Sequence, residues 1–332
     1  MPDYWMITNR KVEKNRLGRD RAALTFWSSG GGPLDRFQNW RPLPRTRFLN
    51  LMRAAADRFP LITDMEQQAR QKHVTLFVHG YDNSWEEAAR RYEGICRALF
   101  GGADGLGLCI LFTWPSDGMK IAYYADRKDA AASGADFAEV LQGLYDLLGA
   151  RQEEGVRNPR KACRAKTSII AHSMGNYVLQ KAMQMCWTRK NQPLLVSLVN
   201  QLVMVAADVD NDLFTGGEAI TKGDGDAIAN LTYRISALYS GRDPVLGLSA
   251  GMKHFGKRRL GRSGLDRSSA VPDNVWDVDC SPLIPEDADG IHSIYFSQPK
   301  ILDLMRQLLA GTDRKILAAQ GLVSNGGAAG KE

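Results

Sequence analysis

The sequence predicts an α/β protein whose doubly wound, mostly parallel β-sheet carries helices on both faces. Two observations predict this fold. Short apolar runs alternate along the chain with longer segments whose apolar residues recur at helical spacing. Most of these runs are continuously apolar, which is typical of strands covered on both faces. Strands that alternate with helices are joined by right-handed crossovers, so residues 1–317 are expected to form one domain.

Five predicted strands form the centre of the sheet, and four of them are continuously apolar. In chain order they comprise residues 74–78, 109–113, 167–171, 202–206 and 232–239. The N-terminal residues 1–30 begin differently, since residues 4–8 and 22–27 predict two edge strands. An antiparallel pairing is open for these two strands.

Helical patterns fill the segments between the predicted strands. Ser84 and Glu87 have the spacing of a capping box ahead of the first helix. A long helical pattern runs from residue 119 to residue 148, with a Ser-Gly pair near its middle that could split it. Further helices are predicted after Ser173 and after Pro299.

Composition narrows the class of protein. The chain of 332 residues has a net charge of +6, and no apolar run of about eighteen residues predicts a membrane span. Its N-terminus lacks a secretory pattern and its five cysteines form no Cys-x-x-Cys pair, so we expect a cytoplasmic location and neither a metal nor a redox centre. Residues 318–332 are rich in Ala, Gly and small polar residues, and they predict a disordered tail.

One dense group of basic residues suggests binding to a nucleic acid or a membrane surface. This basic cluster comprises Lys253, Lys257, Arg258, Arg259, Arg262 and Arg267. No nucleic-acid-binding motif surrounds it, so a solvated basic loop is favoured and no nucleic-acid partner is expected. The cluster lies within residues 245–275, which we expect to form an access loop or a small lid.

The segment 169–176 carries the chemistry on which the functional prediction depends. It reads Ile-Ile-Ala-His-Ser-Met-Gly-Asn, so a strand ends, Ser173 occupies the turn and a helix begins. This is the arrangement of a nucleophile elbow. The turn is so tight that the residues two before and two after the Ser must be small, and Ala171 and Gly175 are small. The alternative interpretation is an ordinary Ser at a helix N-cap.

A serine hydroxyl becomes a good nucleophile only when a base removes its proton. In the chain order Ser, acid, His, only His254 and His292 of the five histidines follow Ser173. His292 lies in a loop just before the last helix, where the base is expected. His254 lies among basic residues that would depress its pKa, so a surface role suits it better. His292 is therefore the predicted base.

Two aspartates are candidates for the acid that orients the base. Asp243 follows the strand that ends at Tyr239, and Asp208 follows the preceding strand. Asp243 occupies the commoner position for such an acid, so it is favoured. Asp208 is the alternative, and its structural interpretation is a cap on the following helix. Asp289, close to His292 in sequence, is interpreted as part of the loop.

Acyl transfer also needs two N–H donors for the oxygen that becomes negative in the transition state. The amide of Met174, directly after the nucleophile, is one expected donor. The other is the amide of Tyr81, in the loop after the first central strand, where Gly80 allows a sharp turn. His79 is interpreted as a scaffold residue of that loop, and His172 is also interpreted as structural, pointing away from the site.

These motifs resemble the bacterial α/β-hydrolase family of unknown function, whose members are often labelled esterase/lipase superfamily proteins. The resemblance covers about residues 74–310. It rests on residues 77–88, 112–116, 123–127, 170–176, 205–210, 239–243, 259–264 and the His292 loop. It implies the α/β-hydrolase fold, a triad of Ser173, Asp243 and His292, and hydrolase activity without a cofactor. The substrate and the oligomeric state stay open.

The favoured function is therefore cleavage of a small-molecule or lipid-like carboxylic ester. Cleavage of an amide or a thioester, and acyl transfer to an acceptor, stay open because nothing in the sequence separates them. Trp114 and Tyr124 are expected to lie near the pocket and to shape it, and the basic residues of 245–275 could favour an anionic substrate. Two other classes are kept as alternatives. One is a non-catalytic binding protein that retains the fold, and the other is a nucleic-acid or membrane-surface binder that uses the basic cluster.

Overall fold

A nine-stranded β-sheet runs through the part of the chain that the structure, a computed structural model, describes. That part comprises residues 3–62, 70–81, 83–116, 123–158, 164–190, 198–215, 222–254 and 256–323. The strands are β1 (Tyr4–Glu13), β2 (Arg16–Ser29), β3 (Arg41–Leu43), β4 (His73–Val78), β5 (Gly107–Thr113), β6 (Lys166–His172), β7 (Val199–Val205), β8 (Thr232–Tyr239) and β9 (Val275–Asp279). Their order in the sheet is β3-β2-β1-β5-β4-β6-β7-β8-β9.

Most neighbouring strands are parallel, which confirms the predicted doubly wound sheet. From β1 through β5 and β4 to β9 every pairing is parallel, and only β1 with β2 and β2 with β3 are antiparallel. All six residues of β4 are buried, as expected for a strand covered on both faces.

Helices cover both faces of the sheet. They are α1 (Arg45–Ala56), α2 (Trp85–Ile95), α3 (Tyr123–Arg157), α4 (Gly175–Lys190), α5 (Lys222–Leu231), α6 (Pro244–Leu248), α7 (Leu260–Ser263), α8 (Pro299–Ala310) and α9 (Arg314–Ala319). One hydrophobic core packs α1, α3, α4 and α5 against one face, and a second packs α2, α8 and α9 against the other. Strand β4 serves both, because Leu76 points into the first core and Phe77 into the second.

The structure corrects two details of the sequence prediction. Neither β1 nor β2 is an edge strand, because β1 lies between β2 and β5, and β2 lies between β3 and β1. The interior place of β1 shows in its sequence. Its residues Trp5, Met6 and Ile7 are buried in succession, which is what an interior position requires. The long helix α3 is not split at its Ser-Gly pair but continues to Arg157, since it packs along α4.

Residues 245–275 contain two short helices, α6 and α7, and part of the segment is held against the end of β7. The amides of Leu260 and Gly261 donate to the carbonyls of Val209 and Ala207, both at 2.9 Å. This part of the predicted access loop is therefore fixed to the sheet by main-chain hydrogen bonds.

The part of the predicted tail that the structure describes, residues 318–323, packs against the fold. Helix α9 runs to Ala319, and the side chain of Val323 is buried beside α9 in the second core. Residues 324–332 lie outside the described residues. Within the described ranges, no helix is both long enough and apolar enough to cross a bilayer.

Candidate active site

Ser173 occupies a sharp turn between β6 and α4. Its φ of 51° lies in the left-handed region that residues other than Gly seldom adopt, as expected for a strained elbow. Two glycines make room for the turn. A Cβ at position 175 would lie 2.5 Å from the carbonyl oxygen of His79, and a Cβ at position 80 would lie 2.7 Å from the Cβ of Ser173. Larger residues at these two positions would push the neighbouring loops apart.

The structure brings Ser173, His292 and Asp243 together, although they are far apart in the sequence. The Nε2 atom of His292 lies 2.9 Å from the Oγ atom of Ser173, and its Nδ1 atom lies 2.7 Å from an Oδ atom of Asp243. The carboxylate can only accept, so Nδ1–H donates to it and Nε2 accepts from the serine hydroxyl. In this tautomer the imidazole can take the hydroxyl proton.

Asp243 is held at the N-terminus of α6. Its Oδ1 atom accepts hydrogen bonds from the amides of Val245 and Leu246, at 3.0 and 3.1 Å. The residue is fully buried, and its other carboxylate oxygen faces His292. The helix cap therefore fixes the carboxylate and leaves one oxygen for the imidazole.

The prediction that His172 points away from the site is wrong, because its ring centroid lies 4.9 Å from that of His292 and it contacts the loop that carries His292. Its Nε2 atom lies 2.9 Å from the carbonyl oxygen of His292, and Arg91 donates to its Nδ1 atom at 3.3 Å. Burial, followed by the charge of Arg91, holds the pKa of His172 well below its usual value, so the ring is neutral and can accept at Nδ1. Arg91 also donates to the hydroxyl of Ser293 at 3.0 Å, so the pair binds the carbonyl of the proposed base and the side chain of the next residue.

His79 and Trp114 support the loop between β4 and α2. The Nδ1 atom of His79 donates to the carbonyl of Gly80 at 2.8 Å, and its Nε2 atom accepts from the amide of Trp114 at 3.2 Å. The two rings are stacked, with centroids 5.4 Å apart. Trp114 is fully buried, and its indole N–H donates to the carbonyl of His79 at 2.9 Å, so it braces this loop. Burial keeps the pKa of His79 well below its usual value.

Arg10 is a buried residue of this region that the sequence did not indicate. Its guanidinium donates to the carbonyl of Asn83 at 3.1 Å and to the hydroxyl of Thr113 at 3.0 Å. It therefore ties β1 to the loop that follows β4 and to the last residue of β5. No local pattern indicated it, because Arg10 lies beyond the predicted strand 4–8 and is followed directly by Lys11.

Tyr81 and Met174 both adjoin the nucleophile. Met174 follows Ser173 directly, and Tyr81 follows Gly80, whose backbone packs against Ser173. Both residues therefore adjoin the nucleophile, and the amide roles predicted for them stay a prediction. Tyr124 is 63% exposed, and its ring centroid lies 5.8 Å from that of Tyr123.

Asp208, the alternative acid, binds a different set of groups. One of its carboxylate oxygens accepts from Arg259 and from Ser249, both at 2.8 Å, and the other accepts from the hydroxyl of Tyr123 at 2.8 Å. Burial opposes its ionisation, but Arg259 and the hydrogen bond from Tyr123 outweigh burial and lower the pKa to about 2. Both carboxylate oxygens of Asp208 therefore accept hydrogen bonds from groups other than the imidazole of His292.

His254 is not a surface residue, because it is half-buried against Tyr123. Its Nε2 atom lies 2.6 Å from the hydroxyl of Tyr123, which itself donates to Asp208. Burial, and then the charges of Arg259 and Arg127, lower the pKa of His254 to about 4. The direction of this shift agrees with the sequence prediction, although burial is the larger cause.

The basic cluster is only in part a solvated loop, since Arg258 and the side chain of Arg267 are exposed. Arg259 is fully buried and pairs with Asp208 and Asp210, and Lys257 lies 3.4 Å from Asp210. Two further members also bind the main fold: Arg262 donates to the carbonyl of Asp243, and Arg267 pairs with Asp277 at 2.6 Å. The aspartates that neutralise these cations lie elsewhere in the sequence. In the described part of the chain, no group of three His, Cys, Asp or Glu side chains could hold a metal ion.

The fold is that of the α/β hydrolases, with a serine at the sharp turn after a central strand. The chain belongs to the family described as alpha/beta hydrolase of unknown function (DUF900), which matches residues 54–311. This match confirms the family resemblance seen in the sequence motifs. It leaves the substrate of the family undefined.

The chain is also similar to individual proteins. It is 21% identical over 300 residues to the uncharacterized protein alr1448 of Nostoc sp. (strain PCC 7120 / SAG 25.82 / UTEX 2576), covering 72% of this chain and 74% of that protein. Among solved structures it is similar to Aspergillus fumigatus lipase B, with 13% identity, a TM-score of 0.41, and coverage of 95% of this chain and 67% of that chain. A putative cell surface hydrolase from Lactobacillus plantarum WCFS1 has 10% identity and a TM-score of 0.36, covering 76% and 96%.

Proposed function

We propose that this protein is a serine hydrolase that cleaves a carboxylic ester through Ser173, His292 and Asp243. The observation that carries this proposal is the pair of hydrogen bonds made by the two ring nitrogens of His292, one to Ser173 at 2.9 Å and one to Asp243 at 2.7 Å. A nucleophile, its base and the group that orients the base are thus within bonding distance.

In the first half of the reaction, the Oγ atom of Ser173 attacks the ester carbonyl carbon while its proton moves to Nε2 of His292. The imidazolium that forms is stabilised by the carboxylate of Asp243, which stays ionised. The carbonyl oxygen becomes negative, and the amides of Met174 and Tyr81 donate to it. Such donors each contribute about 10²- to 10³-fold in kcat.

The tetrahedral intermediate then collapses. His292 gives its proton to the leaving alcohol oxygen, the bond from that oxygen to the carbonyl carbon breaks, and the acyl group stays on Ser173. In the second half, His292 removes a proton from water, and the water oxygen attacks the acyl carbon. Return of the proton to Ser173 releases the carboxylic acid. We propose a small-molecule or lipid-like ester as the substrate.

A panel of p-nitrophenyl esters of graded acyl length tests this function. Wild type is expected to hydrolyse members of the panel, and Ser173→Ala is expected to lower kcat by about 10⁴- to 10⁶-fold. Ser297→Ala is the control, because Ser297 is exposed and bonds only within its own turn. Full activity of Ser173→Ala, or hydrolysis of no ester in the panel, would contradict the proposal.

A further inference from the structure

Arg127 lies next to the start of the helix that follows the nucleophile. Its guanidinium carbon is 3.8 Å from the centroid of the Tyr177 ring, which is a close cation–π contact. Tyr177 lies in the first turn of α4, and its amide donates to the carbonyl of Met174 at 2.9 Å. On this side, Arg127 contacts Tyr177, and Tyr177 contacts the proposed oxyanion donor Met174.

The other side of Arg127 faces Tyr123. An Nη atom of Arg127 lies 3.5 Å from the hydroxyl of Tyr123, whose ring packs edge-on against Tyr81 with centroids 5.5 Å apart. Tyr123 also donates to Asp208, and the amide of Asp208 donates to the carbonyl of Ser173 at 3.2 Å. Both neighbours of Arg127 therefore contact residues that adjoin the nucleophile or its oxyanion loop.

The carboxylates of Asp208 and Asp210 form ion pairs with cations other than Arg127. Asp208 pairs with Arg259 at 2.8 Å, and Asp210 pairs with Arg259 and with Lys257. In the described ranges, the structure shows no ion pair for Arg127.

The guanidinium keeps most of its hydrogen-bonding capacity. Arg127 is half-buried, and its 3.5 Å contact with Tyr123 is long for a hydrogen bond. A guanidinium has five N–H donors in a planar fork that matches a carboxylate, so several donors are left for a ligand. The members of the basic cluster that pair with carboxylates are, in contrast, already neutralised.

We propose that Arg127 is the anion-binding residue of the substrate pocket, and that the natural ester carries a carboxylate group. This inference rests on the proposed ester hydrolysis at Ser173 and names its substrate class. The negative charge of the substrate binds Arg127 while the ester carbonyl lies at Ser173. The sequence had suggested an anionic substrate through the 245–275 segment, whereas the structure assigns that role to α3.

Matched charged and neutral esters test the proposal. The acyl-side arm compares p-nitrophenyl hemisuccinate with p-nitrophenyl butyrate, and the alcohol-side arm compares 4-acetoxybenzoate with its methyl ester. In one arm, Arg127→Gln is expected to lower kcat/KM for the charged ester by about 10- to 100-fold, while the neutral ester changes by less than about threefold. Lys128→Gln removes the same charge from the exposed neighbouring position. It should leave the ratio of kcat/KM for the charged ester to kcat/KM for the neutral ester unchanged in both arms. Unchanged ratios for Arg127→Gln in both arms would overturn the proposal.

A binding experiment separates failure of this inference from failure of the proposed function. Calorimetry on Ser173→Ala, with and without Arg127→Gln, uses amides in place of the esters. The pairs are succinanilic acid with butyranilide, and 4-acetamidobenzoate with its methyl ester. Tighter binding of one acid than of its neutral partner, lost with Arg127→Gln, supports the anion site even if no ester is hydrolysed. Equal or absent binding of both acids overturns it.

Discussion

Two aspartates lie in the loops that follow neighbouring strands at the carboxyl end of the sheet, and each lies one or two hydrogen bonds from a histidine. Asp243, after β8, accepts two backbone amides on one oxygen and the imidazole of His292 on the other. Asp208, after β7, accepts a guanidinium and two hydroxyls, and His254 reaches it only through Tyr123. The two carboxylates are both buried, but their donors differ.

The difference shows how the surroundings decide what a buried carboxylate can do. Backbone amides hold Asp243 in place without neutralising it, so its charge is available to an imidazolium. The charge of Asp208 is already balanced by Arg259, which is fully buried and needs it. We therefore expect Asp243 to serve catalysis and Asp208 to serve stability.

The largest expected effect is on turnover. Asp243→Asn replaces an acceptor with an amide that cannot hold Nδ1–H in place, so kcat should fall by about 10⁴-fold. Asp208→Asn should change the kcat of the folded protein by no more than about tenfold. Steady-state hydrolysis of an activated ester measures both. Equal losses of kcat in the two variants would contradict the assignment of catalysis to Asp243 alone.

For the free energy of unfolding, we expect a larger loss on substitution of Asp208 than on substitution of Asp243. Asp208→Ala leaves Arg259 with only Asp210 as a charged partner, so the free energy of unfolding should fall by about 3 kcal/mol. Asp243→Ala removes a helix cap and should cost about 1 kcal/mol. Urea unfolding followed by circular dichroism compares them. A larger loss for Asp243→Ala would show that Asp243 is mainly a structural residue.

A smaller effect is expected at His172. His172→Ala removes the donor to the carbonyl of His292, so the base is held less firmly and kcat should fall roughly tenfold with little change in KM. His73→Gln is the matched control, because His73 is equally buried but lies at the start of β4, away from Ser173. A change in KM alone, or an equal loss for His73→Gln, would count against a positioning role.

The smallest expected effect is the pH dependence contributed by His254. Its pKa in the folded protein is about 4, below the value of about 6.5 in an unfolded chain. The unfolded state therefore binds more protons between these values, and this contribution to stability falls as the pH falls from 6.5 to 4. His254→Gln should show a shallower decline of the urea midpoint over this range. A steeper decline would contradict the assigned neutral state.

The central strands could be predicted because strands buried on both faces consist of local runs of apolar residues. The position of β1 in the sheet could not be predicted, since its parallel partner β5 lies about a hundred residues away and no local pattern indicates this pairing. The sharp turn at Ser173 was also local, because it requires small residues at fixed spacing.

The surroundings of the site were less predictable. Arg259 was interpreted as solvated because the sequence does not show that Asp208 and Asp210 lie beside it. The roles of Arg10 and Arg127 likewise depend on contacts between distant elements. A cluster of basic residues in the sequence therefore does not predict which of these residues lack an acidic partner in the folded protein.

Covalent labelling with a fluorophosphonate, followed by peptide mass mapping, tests the proposed nucleophile and base most directly. The account predicts a single adduct on Ser173, formed much more slowly in His292→Gln and at nearly the wild-type rate in His254→Gln. No adduct, an adduct on another residue, or equal rates in wild type and His292→Gln would contradict it.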